Sequence, residues 1–326
     1  MTAHILIAGG YGLVGGFIAR HLRARHPHVR LSLAGRNPDA GAGLAAELGA
    51  TAVGLDVEAP RRGLEAAGPV DLIVAALQDP GDALIDAAIR SGAAHIGITR
   101  TANGIAPAVF AATYARPLRP VVPLGHWQAG VLTMAALHAA AAFTRVDRVD
   151  LTAVYDMADP IGPMTAQDAE GFGAPALVRE AGKWIWAASG SRTRQVTLHN
   201  GQATAEPIGV LDLPSVAAVT KAADIRFDLA IAESIGTAAG GPASHDLYID
   251  LAGLGTDGRT LETRTILSDP RGQAHLTGLG AALVAERVLG LDGNPVPPGG
   301  LATPESLLDP NITMQNLAAA GVKTGA

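Results

Sequence analysis

His4-Ile5-Leu6-Ile7-Ala8-Gly9-Gly10-Tyr11-Gly12-Leu13-Val14-Gly15-Gly16 stands at the head of the chain, and its reading decides the fold. A short apolar run ends in a cluster of glycines, and Phe17-Ile18-Ala19-Arg20-His21-Leu22 then takes up a helical rhythm. The stretch reads as strand, tight turn, helix. Two spacings fit at once: Gly9, Gly12 and Gly15 as G-x-x-G-x-x-G, and Gly10, Gly12 and Gly15 as G-x-G-x-x-G. Glycine serves three purposes in such a turn. The chain leaves the strand sharply, a pyrophosphate can approach the backbone with no Cβ in the way, and the helix packs close to the sheet. The anion then lies at the helix N-terminus, where free N–H groups and the helix dipole favour it. The strand before and the helix after separate this pattern from a glycine turn with no ligand. Gly9, Gly10, Tyr11, Gly12, Leu13, Val14 and Gly15 are therefore expected to hold a dinucleotide.

Outward from this stretch, strands and helices alternate. Strands are predicted at 29–34, 52–57, 70–76, 94–99 and 120–124, and helices at 38–48, 82–91 and 105–114. Val70-Asp71-Leu72-Ile73-Val74-Ala75-Ala76 is almost continuously apolar, as a buried parallel strand should be. This alternation predicts an α/β fold with an N-terminal Rossmann-type doubly wound parallel sheet. The texture changes after Leu124. A long Ala-rich helix is predicted over 128–143, a strand over 148–155, a break at Asp159-Pro160-Ile161-Gly162-Pro163 and a short helix near 166–170. Two hairpins follow: 194–208, with Asn200-Gly201 at its turn, and 245–267, with Asp257-Gly258 at its turn. The middle third thus reads as an α+β domain containing an antiparallel sheet. A last long helix is predicted over 274–289, then a Pro/Gly linker at 294–300.

Composition narrows the function classes. The 326 residues suffice for about two domains. Hydrophobic residues make up 48% and aromatic residues only 4%, so the core is built of Ala, Val, Leu and Ile. A net charge of −6 gives no basic footprint for nucleic acid. The absence of cysteine excludes disulfides, zinc thiolate sites and thiol catalysis. His26 and His28 straddle Pro27 with no carboxylate at ligand spacing, and no metal is expected. The first strand begins at His4, which leaves no room for a signal peptide, and the apolar run 131–143 is too short to span a bilayer. A cytoplasmic protein is expected.

The second predicted strand ends Ala34-Gly35-Arg36, and the first acid beyond it is Asp39. An NAD enzyme usually places Asp or Glu there for the ribose 2′-hydroxyl, whereas an arginine pairs with a 2′-phosphate. Gly35 and Arg36 therefore point to NADP(H) in preference to NAD(H). Asp56 and Val57, at the end of the third strand, would flank the adenine.

The pattern as far as the fifth strand also resembles short-chain dehydrogenases, whose catalysis needs Tyr-x-x-x-Lys. Tyr114 is followed four positions on by Leu118, Tyr155 by Asp159 and Tyr248 by Ala252, so that motif is missing. The whole layout more closely resembles the saccharopine dehydrogenase-like oxidoreductases. The glycine fingerprint with Ala34-Gly35-Arg36, the segment Gly125-His126-Trp127-Gln128-Ala129-Gly130 and the closing stretch Gly272-Gln273-Ala274-His275-Leu276-Thr277-Gly278 carry the likeness. Two departures stand out: Ala129 where that family has proline, and Gly97-Ile98-Thr99-Arg100 where it has an acidic segment. The resemblance implies a split first domain, 1–127 plus 272–326, around a substrate and dimerisation domain, 128–271. It also implies reduction of an imine or oxidation of an amine with NADP(H) or NAD(H).

Ligands of an open parallel sheet bind outside the carboxyl ends of its strands. Ala75, Ala76, Leu77 and Gln78 are expected beside the nicotinamide ribose and Thr99 near the nicotinamide. Arg100 is a candidate for a substrate carboxylate. Trp127, Trp184 and Trp186 are candidates for the substrate pocket, the last two sharing a face if they lie in a strand. His126 is expected to donate a proton or to orient the substrate, because histidine titrates nearest neutral pH, with Asp156 and Tyr155 as the other catalytic candidates and Lys183 a further polar group. The expected function is an NADP-dependent oxidoreductase acting on a small-molecule substrate as a homodimer. The competing readings are a non-catalytic NADP-binding regulator and a carbonyl reductase or epimerase of the short-chain type.

Overall fold

The computed structural model describes residues 2–99, 102, 104–162 and 174–325. The chain forms two compact units, Met1–Gly125 with Thr277–Leu308, and His126–Leu276 with Asp309–Ala326. The helix expected near 166–170 falls outside the described residues.

In the first unit the strands are β1 (His4–Ala8), β2 (Arg30–Gly35), β3 (Thr51–Gly54), β4 (Leu72–Ala75), β5 (Ala94–Gly97), β6 (Pro120–Pro123) and β15 (Gly300–Leu301). Among the described residues they form one sheet in the order β15-β6-β5-β4-β1-β2-β3, with every pairing parallel. Every residue of β1 and β4 is buried, which is why these strands are apolar throughout rather than alternating. The helices α1 (Leu13–Arg25), α2 (Pro38–Leu48), α3 (Arg61–Ala67), α4 (Ala83–Ser91) and α5 (Ala106–Ala115) connect them. Proline at the first helical position and left-handed Gly49 at the C-cap delimit α2 where the sequence predicts. The seven-residue α3 was not expected: Arg61-Arg62-Gly63 carries no apolar period to announce it. The order reverses between β1 and β4, which makes their carboxyl ends the switch point of a doubly wound sheet. The last long helix, Gln273–Leu289, packs on α1: a Cβ on Gly278 would stand 3.1 Å from the Ile18 nitrogen. Near its end the buried carboxylate of Glu286 accepts from Arg25 Nη2 at 2.9 Å.

The second unit holds a mixed sheet of nine strands among the described residues, with the path β10-β11-β12-β7-β13-β14-β16 and the hairpin β8–β9 joined to β12. Its strands are β7 (Phe143–Tyr155), β8 (Ala176–Glu180), β9 (Lys183–Ala187), β10 (Arg194–Leu198), β11 (Gly201–Pro207), β12 (Asp224–Ile231), β13 (His245–Gly255), β14 (Thr260–Asp269) and β16 (Lys323–Gly325). Both expected hairpins are present. In the first, however, Leu198 pairs with Gly201, so the turn is His199-Asn200 and not Asn200-Gly201. One pairing is parallel, β12 with β7, and neither β12 nor the helix Asp212–Thr220 before it was expected. The helix predicted over 128–143 is divided. Gln128 and Ala129 have φ of 52° and Gly130 of 90°, so a left-handed turn precedes α6 (Val131–Ala140), and Phe143 already belongs to β7. Residues 309–326, assigned by sequence to the nucleotide domain, lie with the second unit, where β16 pairs with β14.

Candidate functional site

In the first unit, the glycine turn is shaped by contacts that leave no room for side chains. Gly9 leaves β1 at φ 80°, and a Cβ there would lie 2.5 Å from the Ala76 carbonyl oxygen at the end of β4. A Cβ on Gly15 would lie 2.8 Å from the Gly9 carbonyl carbon, so α1 can start this close to the strand only with glycine. Gly12 caps α1 with no side chain to satisfy the first-turn N–H groups. A helix of 13 residues thus opens onto the switch point with its N-terminus free of any capping side chain, a fitting cradle for a pyrophosphate.

Because β1, β2, β4 and β5 run parallel as neighbours, the fold brings Gly9–Gly15, Gly35-Arg36, Ala75–Gln78 and Thr99 to one edge of the sheet. The Ala76 N–H donates to the Ala8 carbonyl at 2.8 Å, locking the ends of β4 and β1 together. The Thr99 hydroxyl donates to the Leu77 carbonyl at 3.4 Å. Asp56, beyond β3, accepts from the Glu58 N–H at 3.1 Å and is exposed, while Val57 is half-buried against the core. Arg36 is exposed and has no carboxylate partner among the described residues. Tyr11 leans over the end of β2, where its phenol oxygen accepts from the Asn37 N–H at 3.0 Å. Arg100 lies outside the described residues.

In the second unit, His126 is buried and its Nε2 bonds the Ser215 hydroxyl at 2.8 Å. Nδ1 is enclosed without a partner among the described residues. Burial lowers its pKa to about 3, so the ring is neutral at neutral pH and holds no imidazolium proton to give. Asp156 is also buried. Burial pushes its pKa up, but donation from the Thr237 hydroxyl (2.6 Å), the Ser234 N–H (2.8 Å) and the Ala158 N–H (2.9 Å) outweighs that and holds it at about 2. Asp156 is thus a fixed anion. Tyr155 ends β7, opposite Ile231. Trp184 and Trp186 do share a face of β9, half exposed, with the Arg179 guanidinium 5.6 Å from the Trp184 ring. Lys183 begins the same strand and is exposed.

A polar cluster at one end of the second sheet escaped the sequence reading. β7 and β12 run parallel, so both finish there. β13 starts there and β14 ends there, His245 facing Asp269 across the pair. Asp156, Asp159, Asp246, Asp269 and His245 are all buried in consequence. The indole N–H of Trp127 donates to His245 Nε2 at 3.1 Å and the Gln128 amide approaches the same atom at 2.8 Å. Trp127 is held by its own N–H to Asp212, at 2.6 Å, and by a tilted ring contact of 4.9 Å with Phe227. These bonds sustain the left-handed pair Gln128-Ala129, a conformation costing about 1–3 kcal/mol per residue. His245 Nδ1 faces Asp159 at 4.0 Å. Burial, reinforced by the charges of Asp156, Asp269 and Asp246 against one bond from the Gln273 N–H, raises Asp159 to about 6. Burial likewise lowers His245 to about 4. Asp269 also meets His275 Nδ1 at 2.5 Å. The one sequence signal for this cluster was the set of acids at predicted strand ends, and register was needed to bring them together.

No family model matches the chain, and no curated protein matches it significantly. Among solved structures it is similar to apo saccharopine dehydrogenase (L-Glu forming) from Saccharomyces cerevisiae. That likeness has a TM-score of 0.65 at 13% identity and covers 99% of this chain and 100% of that one. It is also similar to a myo-inositol dehydrogenase from Corynebacterium glutamicum, with a TM-score of 0.51 at 14% identity, covering 100% and 99%. What is shared at these identities is the fold: a doubly wound parallel sheet and a second unit built on another sheet.

Proposed function

We propose that the chain is an NADP(H)-dependent oxidoreductase that transfers a hydride between the nicotinamide and an imine, an amine or a related small polar substrate. The observation that carries this reading is the uncapped, glycine-lined start of α1 at the β1/β4 switch point. Gly9 to Gly15 would hold the pyrophosphate, Ala75 to Gln78 the nicotinamide ribose, and Gly35-Arg36 the adenosine end. The dinucleotide, when bound, supplies or accepts the hydride. The lack of an acid at the end of β2, together with an exposed Arg36 that meets no carboxylate among the described residues, supports NADP(H) over NAD(H).

Reduction of C=N also needs a proton. Among the acids and bases of the second unit, Asp159 suits that task better than His126 or Asp156. Its pKa of about 6 leaves it partly protonated near neutrality, whereas His126 and Asp156 have lost their protons well below. His245, with Nδ1 toward Asp159, would orient the carboxyl group.

The test is a fluorescence titration with NADPH and NADH, followed by a screen of amine and keto-acid pairs for NADPH consumption. Tighter binding of NADPH and turnover of an imine are expected. Arg36→Ala should weaken NADPH by about 1–3 kcal/mol, the worth of a hydrogen bond to a charged group, and leave NADH within a factor of two. Tight binding with no turnover of any imine, ketone or alcohol would favour the non-catalytic regulator.

A further inference from the structure

We propose that Tyr11 decides which dinucleotide the first unit takes, by barring an acid from the end of β2 and by presenting its phenol O–H beside Arg36 to a 2′-phosphate. The proposal rests on the reading of the glycine turn as a dinucleotide site.

Sheets that bind NAD place an Asp or Glu near the end of β2, where it accepts from the ribose 2′-hydroxyl. Here that place is taken. A Cβ on Gly35 would lie 2.6 Å from Tyr11 Cζ and still closer to the phenol oxygen. A Cβ on Gly41, in α2, would lie 2.9 Å from Cγ of the same ring. Real Cβ atoms do not come so near, so two glycines, 24 and 30 positions along the chain from Tyr11, make room for its ring. With Tyr11 in place, no carboxylate side chain can grow from position 35. The ring thus explains by sterics why position 35, the last of β2, carries no acid.

Its hydroxyl then has one bond left to give. The oxygen accepts from the Asn37 N–H at 3.0 Å, and its own proton has no acceptor among the described residues. Burial raises the phenol pKa against the Asn37 bond and the Arg36 charge, so the proton stays on at neutral pH. Arg36, the next residue along, is a cation without a partner carboxylate among the described residues. A neutral O–H donor, a guanidinium and no nearby acid make a pair suited to a phosphate dianion and indifferent to a ribose hydroxyl.

The decisive measurement is the dissociation constant of NADP+ and NAD+ for the wild type and Tyr11→Phe, with thermal melts to verify folding. Phenylalanine keeps the ring over Gly35 and Gly41 and removes only the O–H. NADP+ should weaken at least tenfold and NAD+ change less than twofold. The double variant Tyr11→Ser with Gly35→Asp should prefer NAD+, whereas Gly35→Asp alone should bind neither. A second arm needs no variant: adenosine 2′,5′-bisphosphate should shield Tyr11 from nitration, read by peptide mass spectrometry, and adenosine 5′-monophosphate should not. A wild type that binds NADP+ while Tyr11→Phe loses nothing overturns this proposal and spares the dinucleotide reading, and so does equal shielding by both nucleotides. A wild type that binds neither cofactor overturns both.

Discussion

The indole N–H of Trp127 donates to Nε2 of His245 at 3.1 Å. Since Nε2 accepts, the imidazole proton resides on Nδ1, which faces Asp159 Oδ2 at 4.0 Å. One indole thus fixes the tautomer of a buried histidine and turns its remaining N–H toward the acid. Trp127→Phe should keep the packing on Phe227 but leave His245 with only the Gln128 amide at Nε2. Removing one partner of a buried bond costs about 1–3 kcal/mol, so urea unfolding should show a loss of that size. An unchanged midpoint would show that the bond does not hold the turn.

Asp159 should make stability depend on pH with a definite sign. Its folded pKa of about 6 lies above the ordinary 3.8, so the native state holds a proton that the unfolded chain has released between those values. Stability is therefore lost as pH rises from about 4 through 6. Asp159→Asn keeps an acceptor for the Gln273 N–H and cannot ionise. The stability of wild type relative to this variant should fall across that window and level off above it. A difference that stays flat from pH 4 to 8 would mean that the carboxyl is not held protonated.

His126 should remain neutral through the whole working range. With its ring enclosed and its pKa at about 3, its NMR ring signals should not move between pH 8 and pH 5. His126→Asn should then leave the pH dependence of kcat in place, even where the lost Ser215 bond lowers kcat itself. A ring titrating near 6.5 would restore His126 as the proton donor.

The second sheet should bring two copies together. One of its faces gathers Arg148, Arg194 and Arg264 with Asp150, Asp250 and Glu262 around an open basin. These groups already pair within the chain, Arg264 with Asp250 at 2.7 Å and Arg194 with Asp150 at 2.9 Å, and a two-fold contact would cover that charge-balanced network with its own copy. Light scattering at micromolar concentration should give twice the 33.0 kDa chain mass, and Arg264→Glu should shift it toward one. A wild-type particle of the single-chain mass would exclude the dimer.

Much of the first unit was legible in the sequence because its determinants are local. An apolar run, a glycine turn and a helical period within 19 residues specify β1, the cradle and α1. Repetition of that pattern specifies a parallel sheet, and Pro38 and Gly49 mark the ends of α2 to the residue. The missing acid at Gly35-Arg36 could be read directly, since it depends on chain position alone. What the sequence could not supply was the cause of that absence. The Tyr11 ring reaches Gly35 and Gly41 across 24 and 30 positions, and only packing shows that the three belong together. The second unit reverses the balance. Its first long helix starts late, at Val131, because Gln128 and Ala129 adopt left-handed backbone, which neither residue favours by itself and which bonds to Asp212 and His245 impose. The acids Asp156, Asp159, Asp246 and Asp269 carry no spacing that marks them as a group. The parallel pairing of β7 with β12 and the register of β13 on β14 bring them to one buried end, where desolvation and neighbouring charges raise Asp159 to about 6 while hydrogen bonds from Thr237, Ser234 and Ala158 hold Asp156 at about 2. Local propensity wrote the glycine turn between β1 and α1 into the sequence, while the ionisation of the second unit's acids depends on burial and hydrogen bonding, which only the tertiary structure confers.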